Sequence, residues 1–255
     1  MKVCTWNVNS IRVRMPHLID WLREEAPDIV GLQETKVEDS AFPISDLESI
    51  NYSALFLGQK TYNGVAFLFK KNDNPELIKT PSFFDNQKRI IAIRSQGIVF
   101  VNLYVPNGSR VDSEKYEYKL QWLTSLIDWV KDTFKKNSKL ILMGDFNIAP
   151  SDIDVHDPEL WKDKILCSVA ERQAFKEIID LGLYDAYRLA HNEDKSFTWW
   201  DYRLNGFRRN LGLRIDHILV SESLRGRVSN VEIAKNLRSL ERPSDHAPVV
   251  ASISN

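Results

Sequence analysis

The sequence lacks several features that define whole classes of protein. Its 255 residues include only ten glycines, ten prolines and two cysteines, Cys4 and Cys167. Two cysteines so far apart cannot form a disulfide framework for a chain of this size, so we expect a reduced, intracellular environment. The low glycine and proline content excludes a fibrous or low-complexity chain.

Long apolar runs and an excess of one charge are also missing. No stretch approaches the roughly 20 apolar residues of a membrane-spanning helix, and the opening MKVCTWN lacks the apolar core of a secretory signal. We therefore expect a cytoplasmic protein with no membrane association. With 34 Lys and Arg against 35 Asp and Glu, the formal charge is −1. A nucleic-acid-binding surface must then be a local patch.

Short β-branched apolar runs alternate with amphipathic segments along the chain. Runs of strand length occur at 2–6, 29–32, 65–69, 90–93, 98–105, 140–143, 215–220 and 249–253. Helices are predicted over 16–25 (Pro16 in its first turn), 112–136 (capped by Asp112 or Ser113) and 169–181. This mixture, with no flexible linker, predicts one α/β domain over residues 1–255, in which 147–168 form a long surface loop with room for one short helix.

The apolar runs end in polar side chains, most of which are carboxylates or amides. These residues are Asn7, Glu34, Tyr104, Asn107, Asp145, Asn147, Asp216, Asp245 and His246. Strand ends that meet at one sheet edge are the usual location of sites in α/β folds. Converging carboxylates raise one another's pKa unless a cation neutralises them. Because oxygen ligands suit Mg²⁺ or Mn²⁺ better than Zn²⁺, the pattern indicates phosphoryl chemistry.

Six motifs carry a family resemblance. In chain order they are TWNVNSIR (5–12), LQETK (32–36), NLYVPNG (102–108), GDFNIAP (144–150), LRIDHILVS (213–221) and RPSDHAPV (242–249). Together they resemble exonuclease III, a family of abasic-site endonucleases and 3′-end-processing nucleases in the endonuclease/exonuclease/phosphatase superfamily. The resemblance implies a four-layer α/β sandwich, with two mixed β-sheets packed face to face and helices outside. It also implies Mg²⁺-dependent hydrolysis of DNA phosphodiesters in base-excision repair, with Mn²⁺ as a possible substitute.

The resemblance assigns a metal site. Glu34 becomes the principal ligand, with Asn7 and Asp245 close to the ion. The residues Asp145, Asn147 and His246 complete the set around the metal.

Catalytic roles follow from the same motifs. Asp145 deprotonates or orients the attacking water, and Asn147 holds a phosphate oxygen in the transition state. His246 contacts the scissile phosphate and is oriented by Asp216. Tyr104 lies against the phosphate, which Asn107 also helps to hold. The sequence leaves open whether Asp145, His246 or Tyr104 is the base.

Two further groups are candidates for substrate binding. The resemblance places Trp199, Leu213 and Ile215 in an apolar deoxyribose pocket, which favours a flipped-out nucleotide. The segment 202–215 carries Arg203, Arg208, Arg209 and Arg214 and no acidic residue, as expected for a contact with the phosphate backbone. The implied substrate of this predicted monomer is double-stranded DNA with abasic sites, nicks or blocked 3′ ends.

Two alternatives remain open. One is a superfamily nuclease or phosphatase with another substrate. The other is a catalytically silent DNA- or RNA-binding regulator, which we expect to lack at least one of Glu34, Asp145, Asp245 and His246. All four are present. We interpret His17, His156 and His191 as surface residues and His217 as structural.

Overall fold

Two six-stranded sheets form the centre of the molecule. The structure is a computed structural model that describes residues 1–81, 85–136 and 139–254, without the side chains of 134–136. The first sheet has the order β13 (Val228–Ile233), β14 (Val249–Ile253), β1 (Lys2–Asn7), β2 (Ile29–Gln33), β4 (Val65–Lys70), β3 (Tyr52–Leu57). The second has the order β5 (Glu76–Ile78), β6 (Ile90–Ser95), β7 (Ile98–Tyr104), β8 (Leu140–Asp145), β12 (Asp216–Ser221), β9 (Leu183–Asp185). A separate short hairpin joins β10 (Trp199–Trp200) to β11 (Gly212–Leu213).

The two sheets have the same internal plan. The central pairs β1–β2 and β7–β8 are parallel, and the other described pairs within each sheet are antiparallel. All eight predicted strands are present, and they are the eight interior strands. The prediction missed the four edge strands and the short hairpin.

Helices cover both outer faces of the paired sheets, and two short helices, α6 and α7, contribute to the apolar cluster between the sheets. The described helices are α1 (Ile11–Glu25), α2 (Ile44–Glu48), α3 (Glu114–Lys136), α4 (Pro158–Trp161), α5 (Val169–Asp180), α6 (Ala186–Ala190) and α7 (Glu222–Arg225). Helices α1 and α2 pack on the first sheet, α3 and α5 on the second, and a third apolar cluster fills the space between the sheets. In that space the rings of Phe67 and Phe100 meet edge to face. The predicted four-layer α/β sandwich is therefore confirmed.

One local prediction is wrong. Helix α1 begins at Ile11 and not at residue 16, so Pro16 lies inside it. Its start is fixed by the loop after β2, because the backbone N–H of Ser10 donates to the carbonyl oxygen of Glu34 at 2.8 Å. The predicted surface loop 147–168 contains the short helix α4, and its buried residues lie at its two ends and at Asp154 and Val155.

The other helix predictions hold to within a residue or two. Ser113 precedes α3, and its Oγ accepts a hydrogen bond from the backbone N–H of Tyr116. Helix α5 starts with a capping box formed by Ser168 and Glu171. Among the described residues, no helix has both the length and the apolar character needed to cross a membrane.

Candidate active site

The ends of four strands bring the predicted site residues together. Asn7 ends β1, Glu34 follows β2, Tyr104 ends β7 and Asp145 ends β8. Asp216 opens the antiparallel strand β12 and lies directly opposite Asp145. The carboxyl ends of the parallel strands therefore meet at one edge, as the alternation of apolar runs and polar ends predicted.

The backbone at this edge is held in uncommon conformations. Glu34, Lys36 and Asn147 have left-handed backbones, with φ of 51°, 55° and 50°. Such strain at non-glycine residues concentrates at functional sites. Gly144 has a φ of 147°, and a Cβ there would lie 2.0 Å from the carbonyl oxygen of Leu103. Only glycine allows Asp145 to emerge from the strand in this way.

A chain of amide side chains connects the two sheets. The Nδ2 of Asn7 donates to Glu34 Oε1 and to Asp145 Oδ2, at 2.9 Å each. Asn147 donates to the same Asp145 carboxylate from its backbone N–H at 2.9 Å and from Nδ2 at 3.2 Å. The Nδ2 of Asn107 donates to Asn147 Oδ1 at 3.1 Å. Asp145 is thus fixed from several directions.

His246 and Asp216 form a buried hydrogen-bonded pair. The Nδ1 of His246 lies 2.9 Å from Asp216 Oδ2, which also accepts from Thr198 Oγ1 at 2.6 Å. This leaves His246 Nε2 facing Asp145 Oδ2 at 3.8 Å. Burial opposes protonation of His246, but Asp216 and Asp145 outweigh it and raise its pKa to about 10. The two carboxylates therefore favour the protonated form of the imidazole in the metal-free protein.

The carboxylates at this edge are not fully neutralised by the protein. Burial raises the pKa of Asp145 to about 7, and the charges of Asp216 and Glu34 add to this effect against the opposing influence of His246. Burial also acts on Glu34, but Lys36, whose Nζ lies 2.8 Å from Oε2, outweighs it and lowers the pKa. An uncompensated carboxylate such as Asp145 is a typical feature of a cation or reaction site.

Asp245 lies at the rim and has partners that the sequence reasoning did not identify. Its Oδ1 accepts from Asn9 Nδ2 at 2.9 Å, and its Oδ2 accepts from Trp199 Nε1 at 3.0 Å. Lys36 Nζ donates in turn to Asn9 Oδ1 at 2.6 Å. Asn9 and Lys36 lie inside the motifs TWNVNSIR and LQETK, so the motifs held the signal for both.

The side chains fit a divalent metal ion. One ligand atom from each of Asp145, Asp216 and His246 lies within 4.8 Å of the other two, and all three residues are buried. Glu34 is hydrogen-bonded through Asn7 to the same Asp145 carboxylate. Oxygen-rich acidic groups of this kind suit a hard cation.

Residues 4–246 match the endonuclease/exonuclease/phosphatase family. The chain belongs to this family. Exodeoxyribonuclease III of Haemophilus influenzae is 38% identical, over 98% of this chain and 99% of that protein. A solved 3′ phosphatase from Neisseria, bound to a product DNA hairpin, is 44% identical with a TM-score of 0.97 and full coverage of both chains. An AP endonuclease from Archaeoglobus fulgidus is 39% identical with a TM-score of 0.95 and the same coverage. The predicted resemblance and the prediction of a hydrolytic enzyme are confirmed.

In this family member, Trp199 lies next to His246 at the edge where the candidate site residues meet. It forms an isolated bridge with His246 and pairs with Leu213 across the β10–β11 hairpin. Leu213 and Ile215 are 0% and 1% exposed, in an apolar cluster that also contains Leu166. These two side chains therefore pack against the half-buried Trp199 and are not themselves exposed at the surface.

The arginine-rich segment divides into two parts. Arg203, Arg208 and Arg209 are exposed on the connection 201–211 between β10 and β11. Arg214 is 1% exposed and forms 2.7 Å ion pairs with Asp154 and Asp185. Its predicted contact with the phosphate backbone is wrong, because a guanidinium held between two buried carboxylates cannot reach DNA.

The remaining histidines also separate by burial. His217 is buried, with Nε2 at 2.9 Å from the carbonyl oxygen of Ile148 and Nδ1 at 3.0 Å from Arg214 Nη1, which agrees with a structural role. His191 is half-buried, and its Nε2 lies 2.7 Å from the carbonyl oxygen of Val231. His17 and His156 are also half-buried.

Proposed function

We propose that the chain is one catalytic domain acting as a Mg²⁺-dependent DNA phosphodiesterase of base-excision repair. It hydrolyses the phosphodiester at abasic sites and removes nucleotides or blocking groups from 3′ ends. The observation that supports this most directly is the buried Asp145 carboxylate, hydrogen-bonded to Asn7 and Asn147 and facing His246, in a family of nucleases and phosphatases. The substrate is double-stranded DNA, and the enzyme acts as a monomer.

The metal would be held by Glu34 and Asp145, with Asn7, Asn147, Asp245 and His246 around it. When bound, Mg²⁺, or Mn²⁺ in its place, neutralises these carboxylates and polarises the phosphate. Asn147 supplies an amide to a phosphate oxygen, a contribution worth roughly 10²–10³ in rate. Asn107 holds it in place through the 3.1 Å hydrogen bond.

Asp145 is the best candidate for the base among the three that the sequence left open. The pKa of His246 is about 10, so its imidazolium donates to the phosphate and does not accept the proton of water. Burial, with Glu34 and Asp145 nearby, raises the pKa of Tyr104 well above its usual value, so its hydroxyl also remains a donor. A bound metal ion would favour the ionised form of Asp145, whose Oδ2 accepts from Asn7 and faces His246, so this carboxylate is available as a proton acceptor.

DNA would approach across Trp199 and the exposed arginines Arg203, Arg208 and Arg209. A cleft of about 440 Å³ next to the site residues Tyr104 and Asn107 is also lined by Arg89 and Lys115, among other residues. Positive charge in this cleft and on the 201–211 connection suits binding of a phosphate backbone. Sequence reasoning missed Arg89 and Lys115.

The proposal is tested with three synthetic duplexes, carrying an internal abasic site, a nick with a 3′-phosphate or a nick with a 3′-phosphoglycolate. We expect Mg²⁺-dependent incision or 3′-end removal that EDTA abolishes and added Mg²⁺ restores. An undamaged closed duplex is the control. The proposal is refuted if none of the three damaged duplexes is processed with either Mg²⁺ or Mn²⁺. Hydrolysis of inositol phosphates, measured in parallel, would then support a superfamily phosphatase instead.

A further inference from the structure

Lys119 is a fully buried cation that none of the roles above uses. It lies on α3 with an exposed fraction of 0%. Its Nζ donates to the carbonyl oxygen of Asn147 at 2.7 Å, to that of Asn107 at 3.2 Å and to the carboxylate of Glu171. An ammonium has three donors, and each of them has an acceptor here. Lysine is rarely buried without such compensation.

Glu171 connects this cation to a third part of the chain. Its Oε1 also accepts from the backbone N–H of Leu166 at 3.0 Å. Its Oε2 accepts from the backbone N–H and the Oγ of Ser168, at 3.0 and 2.7 Å. The Lys119–Glu171 pair therefore joins α3, α5 and the loops that follow β7 and β8.

The two loops bonded by Lys119 carry the paired asparagines of the site. Asn107 and Asn147 are 40 residues apart and share the 3.1 Å amide contact. The first loop also packs on the lysine stem, because a Cβ on Gly108 would lie 3.1 Å from Lys119 Cδ. One buried ammonium thus fixes the backbone of both residues relative to each other.

Neighbouring carbonyls are held in a similar way, but without a connection to Asn107. The carbonyl oxygen of Ile148 contacts His217 Nε2 at 2.9 Å, and that of Ala149 accepts from Arg172 Nε at 3.1 Å. Lys119 differs from these two donors because it bonds both loops.

We propose that Lys119, with Glu171 as its counter-ion, is a positioning residue that holds Asn107 and Asn147 in register for phosphate binding in the transition state. This inference rests on the proposed function. A neutral apolar side chain in place of Lys119 would leave the buried carbonyl oxygens of Asn107 and Asn147 without this donor. The two loops would then move apart so that water can hydrogen-bond to these oxygens. A shift of about 1 Å at a catalytic group can cost on the order of 10²-fold in rate.

The first test is structural and does not require activity. Lys119→Met/Glu171→Gln removes both charges together, because removing one alone leaves the other buried and unpaired. A crystal structure of this variant should show the Asn107 Nδ2–Asn147 Oδ1 distance beyond hydrogen-bonding range. Retention of the contact at 3.1 Å overturns the proposal. If this double variant does not fold, Lys119→Leu/Glu171→Gln, which likewise removes both charges and the donors of Lys119, is measured in the same way and judged by the same distance.

The second test is a double-mutant cycle on the duplex that the wild type cleaves best. We expect Lys119→Met/Glu171→Gln to lower kcat by about 30- to 100-fold, with KM changed less than about threefold. In an Asn147→Ala background the same pair should cost less than about threefold, since its effect passes through Asn147. If the double variant lowers kcat by the same factor in the Asn147→Ala background as in the wild type, the proposal is overturned. It is also overturned if kcat of the double variant alone stays within about twofold of wild type. Lys176→Met, on the exposed side of α5, is the control. Inactivity of the wild type refutes the proposed function alone, because the distance measurement still decides the role of Lys119.

Discussion

Two clusters of charge include residues at different points of the chain after β8, Asp145 at the end of that strand and Asp154 in the following loop, and their charges are balanced differently. The site cluster consists of Glu34, Asp145, Asp216 and His246, and the support cluster consists of Asp154, Asp185, Arg188 and Arg214. In the support cluster two guanidinium groups face two carboxylates, with Arg214 bonded to both Asp154 and Asp185. In the site cluster three carboxylates share one imidazole, with Lys36 only at the rim beside Glu34.

The pKa values reflect this difference. Burial opposes ionisation of Asp154, but Arg214 and Arg188 outweigh it and lower the pKa to about 2. The pKa of Asp145 rises to about 7, because burial is reinforced by neighbouring carboxylates. Balanced buried charge fixes a structure, whereas unbalanced buried charge marks where a cation or a reacting group is expected.

The largest effect should come from removing the unbalanced charge. Asp145→Asn keeps the shape of the side chain but cannot accept a proton or neutralise a metal. We expect kcat on the abasic-site or 3′-blocked duplex to fall by about 10³- to 10⁴-fold, with DNA binding largely retained. Steady-state kinetics and a binding titration with the same duplex give both values.

Asp128→Asn on the exposed face of α3 is the matched control and should change kcat less than about twofold. A rate for Asp145→Asn close to that of wild type would remove Asp145 from the mechanism. It would also show that the unbalanced charge of the site cluster is not needed for the reaction.

The second effect concerns stability in the support cluster. Arg214→Met leaves Asp154 and Asp185 buried with Arg188 as the remaining cation, so the free energy of unfolding should fall by about 3–5 kcal/mol. Urea unfolding followed by circular dichroism measures this difference. Arg209→Met, at an exposed arginine of the 201–211 connection, should change stability by less than about 0.5 kcal/mol. Equal losses in the two variants would show that the ion pairs of Arg214 contribute little.

Sequence reasoning found the interior of the fold and missed its edges. Strands β2 and β8 are buried at every position, so they read as continuous apolar runs. The edge strand β13 has six residues of which only one is buried, and β5 has none buried. A strand that is half-exposed or only three residues long lacks the pattern from which strands are predicted.

Site residues were also predictable only where the local sequence pattern marked them. Glu34, Asp145 and His246 were predictable because each ends or precedes an apolar run inside a recognisable motif. Lys119 was not, because a lysine in an amphipathic helix is indistinguishable in sequence from a solvated one. Arg214 was misplaced for the same reason, since its acceptors Asp154 and Asp185 are 60 and 29 residues away in the sequence. Long-range pairing of charges cannot be inferred from local pattern.

The smallest predicted effect separates the two clusters by the sign of their response to acid. Asp145 has a folded-state pKa of about 7, above its ordinary value of 3.8, so the folded protein takes up a proton first. This contribution stabilises the metal-free protein as the pH falls from 7 towards 4. His217, beside Arg214, is the opposite case. Burial and the charge of Arg214 lower its pKa from 6.5 to about 4, so stability is lost over much of the same window because the unfolded chain binds the proton first.

Unfolding free energies in EDTA at pH 7 and pH 4.5 test both signs. Asp145→Asn should lose more stability on acidification than wild type, because the stabilising protonation has been removed. His217→Gln, which retains a donor for the carbonyl oxygen of Ile148, should lose less. Each difference should be about 2–3 kcal/mol, at 1.36 kcal/mol per pKa unit. If both variants shift in the same direction, the two clusters do not differ in charge balance as the geometry indicates, and Asp145 no longer stands out as the group that needs a cation.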